Sequence, residues 1–157
     1  SNGYSLVRRV VDRSGLGWGD DCPWGPGPLG SALLVPTRLY VTQVLAAIRA
    51  GGVHGLAHVT GGGLTENLPR VLPEGLGAEV DLDSWPLPPV FRWLADQGGL
   101  DAAEMLKTFN SGIGMVVVVT EKAAQRVAAV LADEGETVVP LGRVTKGDGV
   151  SYRGTLS

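Results

Sequence analysis

The chain is short of several things, and each shortage removes a class of function. Its one cysteine, Cys22, can form no internal disulfide, so a reducing, cytoplasmic setting is expected. It has two histidines, His54 and His58, at no metal-ligating spacing and with no Cys/His cluster beside them. Aromatic residues make up 6%, and no cluster of Lys and Arg interleaves with them, which argues against a nucleic-acid partner. Charge is nearly balanced, 13 basic against 16 acidic residues, for a net −3. A phosphate ligand stays compatible with that balance, because backbone amides hold an anion without surplus side-chain charge. Although 44% of the residues are hydrophobic, no run approaches the ~20 needed to span a membrane. No secretory signal opens the chain, and its first residue is Ser1, as in a processed product or a fragment. The length of 157 residues fits one domain with a proper core.

Glycine, by contrast, is plentiful at 24 residues, and its densest use is the most informative feature. The stretch is Gly55-Leu-Ala-His-Val-Thr-Gly-Gly-Gly-Leu-Thr-Glu-Asn-Leu-Pro-Arg-Val-Leu-Pro73. A short apolar run carrying His58 meets Gly61, Gly62 and Gly63, and a helix start with a capping-type Thr65 follows. A strand, glycine turn and helix leave backbone N–H groups free for an anion. Consecutive glycines lose much backbone entropy on ordering, so something should offset that cost. A tight turn needing only positive φ would account for the same residues.

Hydrophobic periodicity outlines the rest. Residues 2–11 read as a helix with Leu6, Val7, Val10 and Val11 on one face. Residues 14–30, rich in Gly and Pro, read as a long loop whose two tryptophans tuck against the body, and residues 31–35 as a short helical turn stopped by Pro36. Residues 40–50 give a helix whose Val41, Val44, Leu45 and Ile48 follow the i, i+3, i+4, i+7 spacing, ended by Gly51-Gly52. Residues 78–82 alternate as a strand, Pro88-Pro89 introduces a helix, and Asp101 with Glu104 forms a capping-box start for another. The β-branched run 114–120 predicts a central strand covered on both faces. Thr120 caps a helix over 121–133, whose Ala124, Val127, Ala128 and Leu131 form the inward stripe and which Gly135 ends. Residues 137–145, interrupted by Pro140, give an edge or bulged strand, and 149–153 a last short one. Strands alternating with helices predict an α/β layered domain with a mixed sheet flanked by helices.

Three clusters could do chemistry. His58 and Thr60, two apart on a strand, project from one side. Thr108-Phe-Asn-Ser-Gly-Ile-Gly114 joins a helix end to the buried strand, and Asn110 and Ser111 could donate to a ligand or merely cap the turn. Ser1-Asn-Gly-Tyr4 is a second glycine turn before a helix, which capping by Ser1 or Asn2 would also explain. No spacing assembles a nucleophile, base and orienting group, so no catalytic side chain and no metal ligand is assigned, and Cys22 is read as structural.

Together these clusters resemble the C-terminal half of phosphoribosylformylglycinamidine cyclo-ligase (aminoimidazole ribonucleotide synthetase). The stretches that carry the likeness are Ser1–Arg8, Pro36-Thr-Arg-Leu-Tyr40, His58–Pro73, Ser84-Trp-Pro86, Pro89-Val-Phe91 and Thr108–Met115, in family order across nearly the whole chain. The resemblance implies that family's layered α/β fold and a role in de novo purine biosynthesis. There, formylglycinamidine ribonucleotide is activated by ATP and closed to aminoimidazole ribonucleotide. It further implies substrate contacts at Asn2, Gly3, His58, Thr60, Gly61, Gly62, Gly63 and Asn110, with the ribose 5′-phosphate on the glycine turn. ATP and Mg2+ serve the full-length enzyme, none being expected on this domain alone. An N-terminal ATP-binding domain is the implied partner, in a homodimer. Against the family pattern this chain lacks that domain and the strand leading into Ser1, and it is expected to be inactive alone. Ser111 stands where relatives often carry Cys, and the Cys22-Pro-Trp-Gly-Pro-Gly27 loop departs from the pattern. A non-catalytic assembly module, or a related ATP-dependent enzyme with another substrate, are the alternative readings.

Overall fold

The computed structural model describes residues 2–157; the capping role considered for Ser1 lies outside them. Among the described residues, seven α-helices and five strands follow in the order α1 (Tyr4–Ser14), α2 (Leu29–Leu33), α3 (Val41–Ala50), β1 (Val53–His58), α4 (Gly63–Asn67), β2 (Leu76–Asp81), α5 (Pro89–Gly98), α6 (Ala102–Thr108), β3 (Met115–Val119), α7 (Glu121–Asp133), β4 (Gly142–Lys146) and β5 (Val150–Arg153). Single 3-10 turns at Pro69–Val71 and Leu82–Ser84 flank β2.

The strands divide into two sheets. β1 and β3 form an antiparallel ribbon registered from Val53 opposite Val119 to His58 opposite Met115. The second sheet has the order β4-β2-β5, with β4 antiparallel and β5 parallel to the central β2. The mixed α/β architecture with flanking helices is as the periodicity predicted, but the placing of β3 is not. Its two faces pack against different cores, Val116 on one and Val117 and Val119 on another, though all five residues stay half-buried. Among the described residues, however, it pairs with β1 alone, so it is not central. A β-branched run reports burial of faces, and two layers of side chains satisfy that without a second neighbouring strand. Pro140 precedes β4, which starts at Gly142 on the edge of its sheet, where a missing N–H breaks no ladder.

Three apolar cores set the layers. Ala57, Val59, Leu64, Leu68, Val80 and Leu106 fill the space between the ribbon and the second sheet. Val7, Val10, Val11, Leu29, Leu94 and Met105 join α1, α2, α5 and α6. Ala47, Ala123, Val127 and Leu131 hold α3 on α7 against the outer ribbon face. The expected inward stripe of α7 is corrected at one position, Ala123 being buried and Ala124 exposed. The apolar stripe of α3 faces mostly outward. Only Ala47 is fully buried, whereas Val41 is 68%, Leu45 47% and Ile48 46% exposed. Helical spacing marks one apolar stripe but does not say which neighbour covers it, and here α7 sits on the small residues instead.

Local chemistry explains most element ends. Asp101 accepts from the Glu104 N–H at 2.8 Å, half of the capping box. Thr120 occupies the N-cap of α7, but its side chain makes no capping bond. Thr65 lies inside α4, not at its cap; its hydroxyl meets the Leu106 carbonyl at 3.2 Å and the Tyr152 hydroxyl at 2.8 Å. Residues 15–28 run as the predicted loop. Trp24 packs on Trp93, while Trp18 stays 47% exposed, so one of the two tryptophans tucks in.

Candidate functional site

The glycine turn forms because two of its residues need what only glycine supplies. Gly62 has φ 97° and Gly63 φ 57°. A Cβ on Gly63 would fall on the Leu106 carbonyl, with the Phe109 carbonyl 2.7 Å away, so α4 packs on α6 through a bare Cα. Asn67, buried at 6% exposure, donates from its amide to Gly63 O at 2.8 Å and Gly61 O at 3.3 Å. The turn's carbonyls are thereby drawn inward. The Gly63 N–H donates to Thr60 O at 3.0 Å. Among the described residues the amides of Gly61 and Gly62 have no acceptor, which narrows the free donors from three to two. Gly61 itself is exposed.

The N-terminal turn stands beside it. Asn2 Oδ1 is 3.8 Å from where a Gly61 Cβ would be. Gly3, at φ 73°, caps α1 without any side-chain cap bond and presses on Thr108 and Phe109. Asn2, Gly3 and Gly61 are thus brought to one place from opposite ends of the sequence pattern. Asn110 follows Phe109, yet its side-chain oxygen accepts the Gly112 N–H at 3.0 Å, so that oxygen serves its own turn. Ser111 is fully buried at φ 50°; its hydroxyl reaches Met105 O at 3.4 Å and its carbonyl accepts the Trp85 indole at 2.9 Å.

His58 ends β1 and is exposed. Its ring stands edge-on to Tyr40, with centroids 5.8 Å apart and planes at 72°. The Tyr40 hydroxyl packs on Gly114, where any Cβ would collide, and two residues earlier Arg38 pairs with Glu136 at 3.1 Å and with Gly135 O at 3.2 Å. Burial first, then the Glu136 charge, raises the Tyr40 phenol above its ordinary 10.0, with Arg38 opposing. Val59 N–H donates to Gly114 O at 3.0 Å, carrying the chain from His58 to Thr60 and the glycines.

Sequence spacing missed three neighbours. Tyr40 has no positional link to His58 in the sequence. Glu66 folds back so that its Oε2 lies 2.7 Å from a would-be Gly62 Cβ, and Arg70 sits 3.5 Å from the same carboxylate. The four-residue spacing of Glu66 and Arg70 was the available signal. Thus a carboxylate shares the turn with the two free amides, partly offset by a guanidinium. Among the described residues no three His, Cys, Asp or Glu side chains converge as a metal site, and no helix is long and apolar enough to cross a membrane.

Two structures of E. coli HypE, one described as a hydrogenase maturation protein, are similar to this chain in fold. The first is 26% identical over 74% of this chain, with a TM-score of 0.60. The second is 25% identical over 80%, with a TM-score of 0.61. A third HypE, at 19% identity over 99% of the chain and a TM-score of 0.51, shows the shared fold alone. The chain spans only 37%, 41% and 45% of the lengths of those proteins. The family described as AIR synthase related protein, C-terminal domain, matches residues 1–154, and the chain belongs to it.

Proposed function

We propose that the chain is the substrate-side part of an ATP-dependent cyclo-ligase that converts formylglycinamidine ribonucleotide to aminoimidazole ribonucleotide. The observation that carries this reading is the meeting of Asn2 with Gly61, where two unengaged amides stand at an exposed turn. In the proposal the ribose 5′-phosphate accepts from the Gly61 and Gly62 N–H groups, with the Asn2 amide at its side. His58, held edge-on by Tyr40, and Thr60 line the path from phosphate to base. These residues bind and orient. Holding the formamide oxygen and amidine nitrogen in a closing geometry accounts for much of the barrier lowering in such a reaction. In this reading ATP supplies the activating phosphoryl group, and no step assigned to this chain's residues runs through a metal. Contacts to ATP and Mg2+ belong in this reading to an N-terminal partner domain, and the exposed apolar stripe of α3 is compatible with such a neighbour in a homodimer.

A second reading is favoured by the HypE likeness: a related ATP-dependent enzyme acting on another substrate. Calorimetry separates the two. Under the cyclo-ligase reading, formylglycinamidine ribonucleotide binds, its 5′-dephosphorylated nucleoside binds at least about tenfold more weakly, and Gly61→Val removes the difference. Glu66→Gln should tighten phosphate binding by relieving like-charge repulsion. Equal binding of nucleotide and nucleoside, or no binding of either, rejects the cyclo-ligase assignment and leaves the second reading.

A further inference from the structure

The Gly/Pro-rich loop after α1 takes no part in the glycine-turn site, yet it is firmly built. Cys22 N–H donates to Gly27 O, Leu29 N–H to Asp20 O and Gly30 N–H to Trp18 O, each at 2.8 Å, and Cys22 is buried. This fixed loop delivers Trp24 to Trp93 on α5, with centroids 5.1 Å apart and planes at 50°. Both rings are only half-buried. They form one wall of a cleft of about 530 Å3, and the segment containing Pro86 and Pro88 forms another. Arg92 and Asp96, one turn apart on α5, stand exposed at the same cleft. Among the described residues neither side chain makes a hydrogen bond or ion pair. Two opposite charges at ion-pairing spacing that do not pair leave both a donor fork and an acceptor available to a ligand.

We propose that this cleft binds a proline-rich segment of a partner protein, in polyproline II conformation and carrying a basic side chain. The class follows from the lining. A polyproline II segment has no internal hydrogen bonds, so its carbonyls need outside donors, and Arg92 supplies a fork of them. Its rigid rings seat between flat aromatic and prolyl surfaces at little entropic cost, which Trp24, Trp93, Pro86 and Pro88 provide. Asp96 accepts the basic side chain while an indole face meets the same cation. An amphipathic helix, about 10 Å across, would instead need a long groove without charges on its floor. The proposal is independent of the phosphate site, since other elements form the cleft.

The indole N–H resonances of the four tryptophans report it directly in nuclear magnetic resonance. The probe is a short peptide of repeating Arg-Pro-Pro-Leu-Pro. Trp24 and Trp93 should shift on titration, while Trp18 and Trp85 stay in place. Trp24→Ala, in an exposed loop, should weaken binding about tenfold or more. The unmoved Trp85 signal, fixed by its bond to Ser111 O, verifies that the variant is folded. Asp96→Lys should weaken the arginine peptide about fivefold and leave its Arg-to-Ala counterpart unchanged. The idea is overturned if Trp24 and Trp93 remain unmoved at millimolar peptide, or if a glycine-substituted peptide binds equally well. Equal binding by Asp96→Lys overturns it too, as does movement of the same two signals with protein concentration alone, which would place a second copy of the chain in the cleft.

Discussion

At the scale of single residues, the glycine turn separates structural glycines from a ligand-facing one. Gly63 is required by packing: an added methyl meets the Leu106 carbonyl at a φ of 57°. Gly63→Ala should therefore cost about 3 kcal/mol, combining overpacking with left-handed backbone strain, read as a fall in urea midpoint. Gly61 has ordinary space, its nearest neighbour being Asn2 Oδ1 at 3.8 Å. Gly61→Ala should change stability by less than ~0.5 kcal/mol, while its added methyl crowds any phosphate held on the neighbouring amides. Tyr40 makes a different prediction. Burial, reinforced by Glu136, raises its phenol, so the folded chain holds the proton after the unfolded chain has released it. That contribution is fully present below about pH 10 and is lost as pH rises through the folded value. Denaturant titrations should show wild-type stability falling more steeply than that of Tyr40→Phe above this pH. Parallel slopes would remove the effect. Tyr152, also raised by burial but eased by its Thr65 hydrogen bond, contributes in the same direction to both proteins.

At the scale of elements, α3 is informative because its two faces behave oppositely to the pattern. The small residue Ala47 is fully buried on α7, against Ala123 and Val127, while Val41, Leu45 and Ile48 are exposed. Large exposed apolar patches mark interaction surfaces. Leu45→Glu should leave unfolding free energy within ~0.5 kcal/mol and reduce self-association in sedimentation. Ala47→Leu should destabilise by about 2 kcal/mol through overpacking. If Leu45→Glu were the costly change, the packing of α3 on α7 would be wrong. The β3 strand teaches the complementary lesson. Its valines pack against two different cores as predicted but stay half-buried, and its only partner among the described residues is β1.

At the scale of the whole molecule, the chain's last residues close the structure. β5 runs parallel to β2, Leu156 packs against two of the three cores, and Leu87 N–H donates to Ser157 O at 2.8 Å. Glu79 and Asp81 of β2 reach Arg143 of β4 and Arg153 of β5 at 2.6–3.9 Å. These pairs are exposed and worth about 0–1 kcal/mol each at most. The apolar closure matters more. Deleting residues 150–157 exposes one edge of β2 and uncovers both cores, and cooperative thermal unfolding should be lost. Breaking the pairs with Glu79→Gln should cost under ~1 kcal/mol. Retained cooperative melting of the shortened chain would show that β5 is an appendage.

The sequence by itself determined what neighbouring residues decide: helices with their caps, the glycine turn after β1, the edge placing of the strand after Pro140, and the motifs that resemble one enzyme family. Backbone propensity, capping and turn chemistry act within a few residues, so they can be read from one stretch at a time. Only the tertiary structure decided which face of α3 is covered, that the strands split into two sheets, and that Gly63's amide turns to Thr60. It also placed Asn2 at Gly61 and Tyr40 at His58. Those outcomes depend on which distant side chains fill each volume, and packing between remote segments leaves no periodic mark along the chain.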